Sequence, residues 1–158
     1  MELPFKSRAF DSAVSFQVME HLPEPLEFLK ENFRVLKPGG YLLITTPFMW
    51  GEHEAPYDFY RYTRYGLKYL AEKAGYEVVS IIPDTKFWAT HVLRLNYYLL
   101  RFARGPLKPL LMLLLYPVFY IGQWAAWLLD RIPHNYTIET STFTTMLRKP
   151  EMTAEGKD

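Results

Sequence analysis

Two clusters in this sequence combine residue types and spacings that can do chemistry. The first is Gln17-Val18-Met19-Glu20-His21, which follows a short hydrophobic run. A histidine with an ordinary pKa near neutrality, next to a carboxylate, can accept a proton at physiological pH, so His21 is a candidate general base. The bland alternative is that His21 packs under the next helix and hydrogen-bonds backbone there. Glu20 could contribute to a hard-cation site, but Gln17 stands where a second carboxylate would help, so no metal is expected. The second cluster is GEHEAPYDFYRYT, Gly51 to Thr63. His53 between Glu52 and Glu54 could ligate metal, yet a lone histidine in a polar loop is ordinarily solvated. Tyr57, Asp58, Arg61 and Tyr62 either contact a bound molecule or form a knot, with Asp58 paired to Arg61 and the tyrosines capping a sheet. The chain has no cysteine, which removes thiolate nucleophiles, cysteine metal sites and disulfides together.

The surrounding segments indicate how these clusters are positioned. Phe10 to Phe16 (FDSAVSF) reads as a strand buried on at least one face. Pro25 suits a first helical turn, and Leu26, Leu29, Phe33 and Leu36 recur at helical spacing. Lys37-Pro38-Gly39-Gly40 then reads as a helix stop, and Tyr41 to Thr46 (YLLITT) as a central strand. Strand, helix and strand in this order form a βαβ unit of a parallel sheet. Thr63 is a predicted N-cap, Leu67, Leu70, Ala71 and Ala74 a buried stripe, and Gly75 a stop. Tyr76 to Ile82 predicts a third strand and Phe143 to Lys149 a fourth. In an open parallel sheet, ligands sit outside the carboxyl ends of strands. The loop after Phe16 and the residues Pro47 to Trp50 therefore line the same crevice.

The block from Val14 to Phe48 (VSFQVMEHLPEPLEFLKENFRVLKPGGYLLITTPF) resembles the strand four, helix D, strand five region of class I S-adenosylmethionine-dependent methyltransferases, of the type 11 kind. Its "EHL-P" turn and "R-hydrophobic-LKPGG" carry the likeness, together with the LPF lead-in at Leu3 to Phe5 and the helix-E-like Gly66 to Gly75. The likeness runs from about Leu3 to Ile82. It implies an α/β fold: a partial Rossmann-like methyltransferase sheet, strands four to seven with the last antiparallel, with helices and an added hydrophobic helical insert. The implied divisions are 1–86 for strands four to six, 87–135 for the insert, 136–150 for the final strand and 151–158 for a disordered tail.

The resemblance also implies roles. S-adenosylmethionine is the implied cofactor, with Phe16, Gln17, Val18 and Glu20 on its side of the crevice. His21 is the implied catalytic base, and Phe48, Tyr57, Asp58, Arg61 and Tyr62 are implied acceptor contacts. In this family the cofactor rests on a glycine-rich turn after strand one, where backbone must approach it with no Cβ in the way. The chain's glycines form no G-x-G pattern. Two accounts fit: a fragment or truncated form of a methyltransferase, which binds cofactor only when the N-terminal half is supplied, or a non-catalytic, membrane-associated remnant that pairs with another chain. The expected acceptor is a small molecule or lipid-linked group, with O-methylation favoured. A homo-oligomer or complementing chain is the expected protein partner.

Composition and the insert narrow the remaining classes. A formal net charge of +1 gives no basic footprint, and no nucleic-acid partner is expected. The N-terminus has no basic n-region leading into an apolar core, so no secretory signal is read there. Arg94, Arg101 and Arg104 fall within about 80° on a helical wheel, opposite leucine and aromatics, which is the pattern of a helix in a membrane interface. Pro109 to Leu129 carries no charge and has the length of a span. A single span would put the fourth strand across the bilayer from its sheet, so an interfacial hairpin fits better, with a lid or dimer surface as the soluble alternative. The expected location is cytoplasmic, peripheral to or anchored in the inner face of a membrane.

Overall fold

The computed structural model describes residues 2–132 and 139–151. The expected tail lies outside the described residues from 152 onward, as do the last three positions of the expected insert. The chain forms two units: one runs to Asp84 and resumes at Thr142, and the other is Thr85–Ser141.

The first unit is a mixed α/β structure. Its elements are β1 (Phe10–Phe16), α1 (Pro25–Val35), β2 (Leu36–Pro47), α2 (Arg64–Lys73), β3 (Glu77–Pro83) and β4 (Thr142–Arg148). The sheet order is β1-β2-β4-β3. β1 and β2 are parallel, pairing Val14 with Leu43, while β4 runs antiparallel between β2 and β3. Leu42 and Ile44 of β2 point into the core at period two, meeting Leu29 of α1, Leu67 and Ala71 of α2, and Phe143 and Leu147 of β4. The α2 boundaries follow from local chemistry. The Thr63 hydroxyl accepts from Gly66 N–H at 3.1 Å, and Gly75 closes the helix at φ +96°.

The structure corrects several sequence readings here. Gly39 and Gly40 do not stop α1, which ends at Val35; they lie inside β2, which starts at Leu36 instead of Tyr41. Gly39 does take a left-handed φ of +77°, but as part of an irregularity where the pairing jumps from Phe10–Leu36 to Ser12–Tyr41. A Cβ on Gly39 would collide with the Glu151 carboxylate, and one on Gly40 would lie 2.9 Å from the Asp11 carbonyl oxygen. The task of closing α1 falls to Lys149, whose ammonium donates to the carbonyls of Phe33 at 2.7 Å and Leu36 at 2.8 Å. The buried face of α1 is Phe28, Leu29, Asn32 and Val35, with Leu26 and Phe33 only partly covered. β1 is mostly exposed, contrary to expectation: it is an edge strand, with Val14 63% and Phe16 56% exposed.

The segment leading into β1 is held by a charged clasp on α1. Arg34 grips Glu31 through Nε (2.9 Å) and Nη2 (2.7 Å), and also donates to the carbonyl of Phe5 at 3.0 Å. Glu31 in turn accepts from Leu3 N–H at 2.7 Å. Arg34 foremost, then the Leu3 amide, hold the Glu31 carboxyl down at about 2. A carboxyl depressed in the folded state adds stability above its unfolded pKa and loses it as pH falls through the folded value. Thermal melts should therefore drop between the ordinary glutamate range and about pH 2 more steeply for the native chain than for Glu31→Gln. Parallel curves would show that the clasp is energetically idle.

The second unit contains α3 (Phe87–Leu100) and α4 (Lys108–Leu129), with Gly105 at φ +75° in the connection. α3 ends at Leu100, so Arg101 and Arg104 lie beyond it, and the expected basic stripe with Arg94 is not a feature of one helix. Asp130, just past α4, accepts from the backbone N–H groups of Trp88 and Ala89 at 2.9 Å each. The carboxylate thus caps the start of α3 from the end of α4, making the pair an antiparallel hairpin. Its base is closed by hydroxyls: Thr85 Oγ1 lies 2.7 Å from that of Thr90 and 3.1 Å from that of Thr140. Pro117 sits inside α4, which is long and apolar enough to cross a membrane, yet only 11% of its most apolar stretch is buried.

Candidate functional site

At the carboxyl end of β1 the chain turns sharply. Gln17 adopts a left-handed φ of +53°, and its side-chain amide donates to Thr45 Oγ1 at 3.1 Å, tying the turn to β2. A single 3-10 turn, Met19–His21, follows, with Met19 and Glu20 buried. Five hydrogen bonds stitch this turn and the residues after it to the loop before α2. The Glu20 carbonyl accepts from Phe59 N–H (2.9 Å) and Tyr60 N–H (3.3 Å). His21 Nδ1 meets the Tyr57 carbonyl at 2.7 Å, Tyr62 donates its hydroxyl to the Met19 carbonyl at 2.9 Å, and Tyr60 donates to that of Pro23 at 2.9 Å. Burial pushes the Tyr62 phenol well above its usual range, so it remains a neutral donor.

Asp58 and Arg61 form a paired knot. The guanidinium meets the two carboxylate oxygens at 2.6 and 2.7 Å and reaches the carbonyls of Trp50 (3.1 Å) and Gly51 (2.8 Å). Asp58 also accepts from His53 N–H at 2.9 Å. Arg61 chiefly holds the Asp58 carboxyl well below the usual carboxylate range. The knot curls the Trp50–His53 segment back, so that the His53 ring stands edge-on to His21 with centroids 4.8 Å apart. Glu20 lies buried nearby, its Oε1 3.9 Å from His21 Nε2. Desolvation raises its pKa against the opposing pull of its own backbone amide first, then of His21, His53 and Arg61.

The structure therefore gathers His21, Glu20, Tyr57, Asp58, Arg61 and Tyr62 into one junction. Asp58, Arg61 and Tyr62 are committed to the knot and its stitching. Tyr57, at 66% exposure, is the most open of the expected acceptor contacts. Phe48 is half-buried against Phe143, with centroids at 5.6 Å. Among the expected cofactor contacts, Phe16, Gln17 and Val18 are exposed, whereas Glu20 has no accessible surface. Its carboxylate therefore sits below the surface the other three present. His53 is the residue that sequence reasoning set aside; the available signal was Asp58, five positions on and able to capture its amide. An open groove of about 630 Å³ runs between Glu24–Glu27 and Tyr60, Tyr62 and Leu70, beside this junction.

Residues 1–44 match a family model described as a methyltransferase domain. A probable S-adenosylmethionine-dependent methyltransferase of Mycolicibacterium smegmatis is 50% identical over 46 residues, covering 29% of this chain and 18% of that protein. The chain thus resembles methyltransferase domains over residues 1–44. Tocopherol O-methyltransferase of Arabidopsis thaliana is 39% identical over 46 residues, 29% of this chain and 13% of the relative. The crystal structure of a putative methyltransferase from Bacillus halodurans superposes with a TM-score of 0.56 at 16% identity, covering 94% of this chain and 68% of that one. The fold is thus the methyltransferase α/β fold, and the chain aligns to less than a fifth of these two curated relatives.

S-adenosylmethionine is the cofactor named for the Mycolicibacterium smegmatis relative. Among the described residues of this chain, left-handed glycines occur at Gly39, Gly75 and Gly105, in the β2 irregularity, after α2 and in the hairpin connection. None lies at the carboxyl end of a parallel strand, where backbone would have to approach the methionine and ribose parts closely. Phe16, Gln17 and Val18 can form one wall of a cofactor site. The described residues do not make the cradle.

Proposed function

We propose that this chain supplies the acceptor-side part of an S-adenosylmethionine-dependent methyltransferase. The observation that carries the reading is the junction itself. Glu20-His21 at the carboxyl end of β1 is stitched to Tyr57–Tyr62, next to an open groove and the exposed Phe16–Val18 wall. Methyl transfer from a sulfonium needs an acceptor held in line, and a base when the acceptor must lose a proton. His21 supplies that base. Its Nδ1 donates to the Tyr57 carbonyl, which accepts only, so Nε2 keeps its lone pair. The acceptor is a small-molecule or lipid-linked group, and O-methylation is favoured. One relative's name, tocopherol O-methyltransferase, supports that direction. The exposed apolar α4 favours an acceptor presented at a membrane, on the cytoplasmic face.

The 158 residues alone should show no tight S-adenosylmethionine site by calorimetric titration, whereas the same residues joined to a strand–glycine turn–helix half should bind and transfer labelled methyl. Micromolar binding by the chain alone overturns the division of labour. Failure of the joined protein to bind overturns the function.

A second reading rests on β1, which among the described residues pairs on one side only while exposing Val14 and Phe16. Such an edge suits a complementing chain, and then the polypeptide is a non-catalytic partner. Co-purification of an upstream gene product without methyl transfer would favour it.

A further inference from the structure

We propose that Glu20, His21 and His53 form a binding site for a divalent transition-metal ion. Gln17 does weaken an all-oxygen site for a hard cation, but the structure assembles a different donor set. One ligand atom from each of the three residues lies within 4.8 Å of the others, and Glu20 Oε1 is 3.9 Å from His21 Nε2. Two imidazoles and one carboxylate, with a fourth position open, are the donors that zinc and its neighbours prefer. Drawing the donors onto one ion at about 2.0–2.2 Å requires shifts of about an ångström, within the reach of side-chain rotation.

Three further observations point the same way. Glu20 has no accessible surface, and neither of its carboxylate oxygens has a hydrogen-bond partner. A buried carboxylate left in that state is costly, and a bound cation would satisfy it. The second observation is the outer shell. His21 Nδ1 donates to the Tyr57 carbonyl, which turns the Nε2 lone pair towards Glu20. Next, His53 Nδ1 lies 3.2 Å from the Gly51 carbonyl and 3.4 Å from Asp58 Oδ2. Arg61 Nη2 stands 3.4 Å from the same nitrogen; donation from Nδ1 to the Gly51 carbonyl, the shortest of these contacts, leaves Nε2 for an ion. Glu54, exposed and 4.0 Å from His21 Nε2, is placed to close the open position. Among the described residues Arg61 is the cation at the junction, and its pairing with both Asp58 oxygens offsets its repulsion of an ion.

An ion on His21 Nε2 would occupy the lone pair that the base role uses, so the two roles exclude one another at any moment, and the test reads binding alone. Titrating the metal-free 158-residue chain with zinc or cobalt chloride should show one equivalent bound. Cobalt should give the visible ligand-field absorption of a four-coordinate ion. His53→Gln, in a surface loop, should weaken binding by about a hundredfold, and Glu20→Gln by at least as much, while Asp58→Asn should cost about tenfold. Absence of stoichiometric binding overturns the site. So does binding that His53→Gln and Glu20→Gln both leave unchanged, since the metal would then be held elsewhere, with unchanged circular dichroism spectra certifying that the variants are folded.

Discussion

At neutral pH and without metal, Glu20→Gln is expected to stabilise the chain by about 1–3 kcal/mol. The reason is the state of the wild-type carboxylate. It is wholly buried, its two oxygens lack hydrogen-bond partners, and the nearby guanidinium is already bound to Asp58. Desolvation outweighs the attractions around it and lifts the Glu20 pKa. A carboxyl raised in the folded state binds its proton more tightly there than in the unfolded chain. Stability is therefore lost as pH rises from the ordinary glutamate range through the raised value, which is the opposite direction from Glu31. The amide variant should escape this loss, so its advantage should appear at pH 7 and vanish in acid. Urea unfolding at both pH values measures it. A variant less stable than wild type at pH 7 would show that the folded chain draws net benefit from the charge. Added zinc should reverse the order, because an ion that binds only the folded wild type stabilises it through mass action.

That residue also marks how far the sequence could be read. Thr63, Gly75 and the period-two run of β2 announce their roles because the deciding contacts are local: a hydroxyl three residues from its amide, a glycine free to take positive φ, alternation along one strand. Gly39 shows the ambiguity of the same signal, since positive φ serves a helix stop and a strand irregularity equally. The Leu36 amide, which donates to the Asn32 carbonyl, and Lys149, far along the chain, close α1 without it. The Glu20–His53 juxtaposition was illegible for a related reason. It depends on two loops being stitched by backbone bonds from Phe59, Tyr60 and Tyr57, and nothing in a polar loop's composition encodes those partners. The Asp58–Arg61 pair, three residues apart, was visible as an option, and the structure turned it from an acceptor contact into a scaffold.

The α3–α4 hairpin carries the prediction with the largest effect. Leu113, Tyr120 and Trp124 of α4 are 70, 76 and 56% exposed, and the helix shows apolar side chains on most of its circumference. A soluble helix normally hides one stripe and solvates the other; α4 hides little of either. Asp130, just past α4, caps the start of α3 and joins the ends of the hairpin, so the segment can enter a bilayer surface and return on the same side. The chain should therefore float with phosphatidylcholine–phosphatidylglycerol vesicles, and the triple variant Leu113→Lys, Tyr120→Lys, Trp124→Lys should not. Each replaced side chain forfeits about 1.5–3 kcal/mol of apolar burial, so the three together should lower partitioning by about a thousandfold or more. Surface positions cost little folding stability, and an unchanged unfolding curve checks this. If the wild-type chain stays at the bottom of the gradient, the membrane surface fails. If it also sediments as a dimer that the three lysines dissociate, the same apolar face is buried against a second copy.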